Sequence, residues 1–386
     1  MKNKTLASHI SQYTNTLKNP PNLSQNLYQM SETNKDSVPK IIRIILMDDE
    51  EELNAELKKY DYSINTAYCG KSPLYYAIQF NSERCVKILL DREADTTSIV
   101  KRFRESPTAL GLAVQNGDRK LIRTLLEYPV DVYPPGKPLL FSIFKNDDVK
   151  LLRIMAIHDR KLLSHPIRFW SRENDFEYGP DQPIGRAIIL KAPKCVEYLI
   201  PVVIETETNE EIKRRNILSA IIACIATANH IHLEQLLSME NVDRYIQLPL
   251  NNGDSFLHSA VQQRKKNYKT KNQEKIIKLL ILSGASVNAK NVNGNTPLHL
   301  VKDVRTAKIL YGFGASLHLK NSTNQTPAQY FNKNLDDGDE DEDYCILNEW
   351  FKLAAEQEKI IEKKIKEATE DTSRPIEVDP DSDINK

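Results

Sequence analysis

The sequence predicts an all-α fold, a solenoid of stacked helix pairs joined by short β-turns, and three observations predict it. First, one theme recurs: "GKSPLYYAIQFNSERCVKILLDREAD" from Gly70, "SPTALGLAVQNGDRKLIRTLLEYPVD" from Ser106, "GDSFLHSAV" from Gly253 and "GNTPLHLV" from Gly294. Each copy has a turn residue, a Ser or Thr to start a helix, and a Leu/Ile-rich stretch; in the first three a small residue stands three places after the Leu (Ala77, Ala113, Ala260). Second, that stretch ends at Gly-Ala or its equivalent, as in "LSGASVNAK" from Leu282. Third, self-similarity of this length marks modules that bury their apolar faces only by stacking on one another.

The elements follow in chain order. Residues 1–37 are polar and Asn/Ser-rich and are expected to be disordered. The solenoid is expected over 38–334 in seven or eight units, clearest at 66–132 and 251–331 and degenerate in the middle, where "KPLLFSIFKNDDVKLLRIM", "QPIGRAIILKAPKCVEYLI" and "ILSAIIACIATANHIHLEQLL" each read as one helix pair. Ser72, Pro73 and Leu74, then Thr108 and Leu110, then Thr296, Pro297 and Leu298 supply the cap, first turn and first apolar residue of a helix. Gly284 and Gly314 suit a left-handed C-terminal cap, whereas Glu93, in the equivalent place, removes that turn and makes the early units irregular.

The acidic block 335–343 is a solvated linker. An amphipathic helix follows over 344–369, its first half covering the end of the last unit and "EKIIEKKIKEA" facing solvent; 370–386 is a disordered tail.

Composition narrows the function. The 53 basic and 53 acidic residues cancel, so no global electrostatic partner is implied and no nucleic-acid partner is expected. No signal-peptide h-region opens the chain, and apolar runs such as "IIRIILM" and "LSAIIACIA" are too short to cross a bilayer. A cytosolic location with reduced thiols fits the five scattered cysteines, among which no CxxC occurs. The sequons at Asn22 and Asn321 are accordingly chance matches.

Catalytic and metal motifs are weak. Cys69 stands in a turn, while Cys85, Cys195 and Cys224 stand at helix positions that want small apolar residues. In "NHIHLEQ", His230 and His232 are two apart and fall on different helix faces. "DDGDEDED" lacks the EF-hand order and no phosphate-loop motif occurs, so no cofactor is expected.

The motif at 251–331, with "NGNTPLHL" complete and "LLILSGASVNAKNVNG" leading into it, resembles the ankyrin repeat, a β-turn followed by T-P-L-H-x-A and two antiparallel helices in about 33 residues. The resemblance implies that His258 and His299 hydrogen-bond backbone of the neighbouring unit rather than bind metal. Family glycine spacing is about 23, so Gly294 to Gly314 at 20 has lost about three residues, and Gly253 to Gly284 at 31 has gained about eight at "QQRKKNYKTKNQEK". A second insertion, His158–Pro183, carries Phe169, Trp170, Phe176 and Tyr178.

Family surface logic implies a non-catalytic module binding a protein through its concave face and turn tips, by Tyr68, Lys71, Gln79, Phe80, Gln115, Asn116, Arg264, Lys265, Lys266, Tyr268, Asn293 and Asn295. A monomer is expected. The Asn/Lys/Ile bias and the Glu-rich end resemble the ankyrin effectors that Legionella-type bacteria deliver through a type IV system, which implies a host factor as partner, host cytoplasm as location and a role in virulence. Two alternatives stay open: an enzyme with a catalytic insert at 131–215, and a nuclear or nucleic-acid adaptor using the basic loop 264–271.

Overall fold

The computed structural model describes residues 39–59, 64–97, 99–100, 108–132, 139–164, 182–250, 253–263, 270–333 and 342–372. The expectations for 1–37, for Phe169, Trp170, Phe176 and Tyr178, for Arg264, Lys265, Lys266 and Tyr268, for 335–341 of the linker 335–343 and for 373–386 of the tail 370–386 lie outside these residues, whereas 342–343 and 370–372, expected in linker and tail, belong to a helix. Among the described residues the regular structure is helical, with two isolated bridges, Tyr68 to Lys71 and Lys71 to Val100, in place of strands. By contact the chain divides into two compact units, Met1–Ala223 and Cys224–Lys386.

Among the described residues, five helix pairs build the first unit: α1 (Lys40–Met47) with α2 (Glu50–Lys59), α3 (Pro73–Gln79) with α4 (Glu83–Asp91), α5 (Ala109–Asn116) with α6 (Arg119–Leu126), α7 (Leu139–Lys145) with α8 (Val149–His158), and α9 (Pro183–Ile189) with α10 (Pro193–Ile200). The first helices bury the same register each time: Leu74, Ala77 and Ile78 in α3, Leu110, Ala113 and Val114 in α5, Ile184, Ala187 and Ile188 in α9. Second helices answer with Val86 and Leu89, Ile122 and Leu125, Val196 and Leu199. Each larger side chain of this set contributes about 1.5–3 kcal/mol through burial, and stacking makes the ribbon continuous within the unit.

The turn inside each pair has one solution. A single residue enters the left-handed region, Asp48 (φ 51°), Asn81 (58°), Gly117 (73°), Asp147 (49°) and Lys191 (57°), and the second helix begins within two residues of it. Where the residue after it carries a short acidic side chain, that side chain also caps: Asp118 Oδ1 accepts from Leu121 N at 3.0 Å and Asp148 Oδ1 from Leu151 N at 3.0 Å. Asp48 and Asp147 reach further. Their Oδ1 atoms accept from the amides of Cys85 at 3.1 Å and Cys195 at 3.0 Å, which caps the second helix of a neighbouring pair.

Glu93 corrects the sequence expectation. It keeps the left-handed turn at φ 61°, and Ala94 N donates to Leu89 O at 3.0 Å, the bond that Ala285 N makes to Leu280 O beside Gly284 at φ 97° and Ala315 N makes to Leu310 O beside Gly314 at φ 89°. The backbone pattern overrides the side chain's reluctance.

The unit boundary falls inside α11 (Glu210–Thr227). The second unit holds α12 (His230–Leu237), the short α13 (Asp243–Ile246), α14 (Phe256–Gln262) with α15 (Thr270–Leu282), a 3-10 turn (Pro297–Leu300) with α16 (Val304–Gly312), and α17 (Pro327–Lys333) with α18 (Glu342–Thr372). Thr296 and Pro297, expected to open an α-helix, open only that single turn of four residues. The missing residues come out of the first helix, while α16 keeps nine residues and buries Ala307 and Leu310.

Three loops in this unit share one construction. Leu250 N donates to Asp254 O, Asn291 N to Asn295 O and Asn321 N to Gln325 O at 2.8–3.0 Å, and the position that needs positive φ is filled by Gly253, Gly294 and Asn324. Each glycine lies beneath the next loop: a Cβ on Gly253 would collide with Val292, and one on Gly294 would stand 2.6 Å from Ser322 N.

The first part of α18 covers the last repeat, and Glu358 adds a contact from its Oε2 to His318 Nε2 at 2.8 Å. Leu347, Phe351 and Ala354 are buried, with Phe351 against Phe331 and Trp350 edge-on to Tyr311 at 5.9 Å. Leu353 is half exposed, as are Ile360, Ile361 and Ile365 farther along.

Candidate functional site

The predicted interaction residues of the first unit sit on α3, α5 and the turn before α3. That turn is closed by Tyr68 N to Lys71 O at 2.8 Å and Lys71 N to Tyr68 O at 3.0 Å, with Cys69 (φ 51°) and Gly70 (φ 80°) at its tip. Ser72 caps α3, its Oγ accepting from Tyr75 N at 3.2 Å, and Thr108 Oγ1 accepts from Gly111 N at 3.1 Å to cap α5.

Tyr76 is the fixed centre. It is buried, its hydroxyl donates to Tyr68 O at 3.0 Å, and its ring stacks on Phe80 at 6.0 Å. Burial pushes its phenol well above the usual value, with Cys69 and Tyr75 adding to the effect. On the outer side the Lys71 ammonium lies 4.4 Å from the centroid of Tyr75, a cation–π contact.

The structure brings Gln79, Phe80 and Asn116 together at the C-terminal ends of α3 and α5, where Asn116 Nδ2 donates to Ile78 O at 3.4 Å. Gln115 and Asn116 are exposed, Gln79 and Phe80 half-buried. Tyr68 and Lys71 stand at the other end of α3, about 10 Å away for a helix of this length. Tyr75 bridges the two groups. Sequence reasoning passed over it, although its place four residues before Gln79 puts both on one helix face.

In the second unit Asn293 is exposed on a loop tip, while Asn295 corrects its assignment as a partner residue. It is buried, its carbonyl accepts from His258 Nε2 at 2.9 Å, and its Oδ1 accepts from Asn321 Nδ2 at 2.8 Å.

His258 and His299 occupy equivalent structural posts. Nδ1 of His258 accepts from Ser255 N at 3.1 Å, which leaves Nε2 to donate; Nδ1 of His299 accepts from Thr296 N at 3.1 Å and Nε2 donates to Gln325 O at 3.0 Å. Burial lowers both imidazoles, only partly offset by those carbonyls. Each ring therefore ties its own unit to the loop of the next.

The candidate chemical groups are placed as follows. Burial pushes the thiols of Cys85 and Cys195 up to about 12, with Asp48 and Asp147 adding to the effect, and pushes Cys224 higher; none of these thiols is a thiolate at neutral pH. His232 Nδ1 accepts from Asn229 Nδ2 at 2.6 Å, and His230 Nε2 lies 3.3 Å from Lys275 Nζ. Among the described residues no group of three His, Cys, Asp or Glu side chains is placed to hold a metal ion, and no helix is long and apolar enough to cross a membrane. The described part of the block 131–215 consists of α7 with α8, α9 with α10, two single turns and the start of α11.

A family model of ankyrin repeats in three copies matches residues 33–136, and a model of a single ankyrin repeat matches residues 252–292. A putative ankyrin repeat protein from Rickettsia felis (strain ATCC VR-1525 / URRWXCal2) is 37% identical over 89 residues, which is 21% of this chain and 37% of that relative. The crystal structure of the ankyrin repeat domain of Bcl-3, a member of the IkappaB family, aligns with TM-score 0.38 at 16% identity over 72% of this chain and 100% of that one. The human ASB11 ankyrin repeat domain aligns with TM-score 0.33 at 15% identity over 72% of this chain and 99% of that one. The matched segments are similar to ankyrin repeats, and such repeats imply a protein–protein interaction module.

Proposed function

We propose that the chain binds a folded protein through the half-buried outer side of α3 and the exposed C-terminal end of α5, with Tyr75 and Phe80 as anchors and Lys71, Gln79, Gln115 and Asn116 around them. One observation carries the reading: Tyr75 stands on α3 and Phe80 is its C-cap residue, and the same helix is locked in the core by Leu74 and Ile78 at 1% exposure. Side chains held this way lose little freedom on binding, and aromatic anchors dominate interface energetics. Asn293, exposed on a loop tip of the second unit, is proposed as a separate contact. Affinity purification from host lysate tests the proposal. The double substitution Tyr75→Ala, Phe80→Ala should lose the partner while an Ile361→Gln control keeps it; retention by both variants rejects the surface.

The proposal includes delivery. The stretch "EQEKIIEKKIKEATED", of which the described part continues α18 beyond the buried Phe351 and Ala354, offers an exposed Glu- and Lys-rich helix to a secretion receptor. A translocation reporter fused to the chain should fall silent when residues 355–386 are removed; undiminished delivery rejects an effector role.

A further inference from the structure

The second helices of the first unit share one surface pattern. Their second residues are Arg84 in α4, Lys120 in α6, Lys150 in α8 and Lys194 in α10, and all four are exposed. One turn on, the fifth residues are Lys87, Arg123 and Arg153, also exposed, with Glu197 ending the row. The residues between the two rows, from Cys85 and Val86 in α4 to Cys195 and Val196 in α10, are buried, so the register repeats in every module. Side-chain contacts join the helices in order: Lys120 pairs with Glu83, Arg119 with Asp148 at 2.9 Å, and the Arg153 guanidinium lies 5.3 Å from the centroid of the Tyr198 ring. Because its members are scattered through four modules, the zero net charge of the chain conceals this band.

Helix energetics do not explain it. A cation in the first turn meets the positive end of the helix dipole, where an acidic residue is favoured. In α6, α8 and α10 the first turn holds no acidic residue. The carboxylates at this edge are engaged: Glu83 by Lys120, Asp118 and Asp148 by the amides of Leu121 and Leu151 that they cap, and Asp147 by the amide of Cys195. Among the described residues no carboxylate pairs with Arg84, Lys87, Arg123, Lys150 or Lys194. The band therefore presents uncompensated positive charge on packed helices.

Its dimensions select the ligand. Neighbouring helices pack about 10 Å apart, and a polyproline-II chain rises about 9 Å every three residues. An acidic residue at every third position thus meets successive helices. The band is also narrow: its two rows are about 4.5 Å apart along the helix axis, and the exposed Asp91 and Glu127 stand about 10 Å beyond the first row. A membrane or a nucleic-acid duplex is broad enough to bring those carboxylates against its own negative charge, whereas a single extended chain is not.

We propose that this band binds an extended acidic segment of a protein, with a carboxylate at every third residue, laid across α4, α6, α8 and α10. The site lies on the second helices and does not depend on the surface of α3 and α5.

The test is fluorescence anisotropy of the full chain with two labelled peptides of equal composition, one of four Glu-Pro-Pro triplets and one with its four Glu contiguous. The triplet peptide should bind about five-fold tighter at low salt, since contiguous carboxylates reach about half of the helices. Lys150→Glu combined with Lys194→Glu should weaken its binding about ten-fold, while Lys308→Glu, exposed in the second unit, leaves it unchanged. Glu in the first turn favours the helix, so the double variant keeps its thermal unfolding transition. Equal affinity for the two peptides, undiminished binding to the double variant, or tighter binding of a DNA duplex or of phosphatidylserine vesicles overturns the proposal. The double substitution Tyr75→Ala, Phe80→Ala should leave peptide binding intact, so failure of the α3 surface and failure of the band give different results.

Discussion

The imidazole of His258 donates from Nε2 to the carbonyl oxygen of Asn295 at 2.9 Å, across 37 residues of sequence. His299 repeats the relationship with Gln325 at 3.0 Å. Since Nδ1 of each ring accepts from the backbone amide of its own cap residue, both rings must be neutral to serve both bonds.

This fixes a pH dependence. Burial holds both folded imidazoles below their unfolded value of about 6.5, so below that value the unfolded chain binds more protons than the folded one. Stability contributed by these residues is complete above about pH 6.5 and is lost as pH falls toward the folded values. Urea midpoints at pH 7.5 and pH 5.5 check it: the native chain should lose more on acidification than one carrying His258→Gln and His299→Gln.

Glu93 sits at φ 61° without the freedom of glycine. Glu93→Gly should therefore stabilise the first unit by about 0.5–1 kcal/mol, the left-handed strain relieved less the extra entropy of the unfolded chain. Chemical denaturation followed by circular dichroism measures the shift, and a decrease in stability would contradict the strain argument.

Two glycines separate backbone strain from close approach. Gly117 has φ 73° and open space for 4 Å around the point where a Cβ would stand, whereas Gly294 has φ 69° with Ser322 N only 2.6 Å from that point. Gly117→Ala should cost about 1 kcal/mol, from conformation alone. Gly294→Ala should cost clearly more, because the loop at 321–325 must lift away and surrender the bond from Ser322 N to Asn293 O. Equal losses in thermal unfolding would count against nested loops.

The end cap divides sharply along α18. Phe351→Ala, at a residue 3% exposed against Phe331, should destabilise the second unit by about 3 kcal/mol or more. Ile361→Gln, at a residue 53% exposed, should change stability by no more than about 0.5 kcal/mol. Urea titration of the two variants checks the contrast.

The helix pairs were legible because the modules repeat one arrangement of cap, Leu and small residue, and Gly284 and Gly314 announced two turns by the only residue without a Cβ. The turns at Asn81, Asp147, Lys191 and Glu93 gave no such signal, because there the packed helices on both sides impose positive φ on side chains that resist it. Residue spacing revealed that the unit from Gly294 had shrunk, yet only packing decides which helix gives way. Asn295 looked like a loop-tip residue by position; its burial depends on Asn321 and His258, which are distant in sequence. Tyr75 was readable from its spacing to Gln79, while the contact with Lys71 belongs to the folded turn.

The loop at 291–295 rests on Gly253 as the loop at 321–325 rests on Gly294. Both joints seat a loop over a positive-φ glycine, Gly253 against the Val292 side chain and Gly294 against the Ser322 backbone. Each loop thus takes its seat from a glycine of the module before it, so a side chain placed at one joint would be felt first by the module that follows.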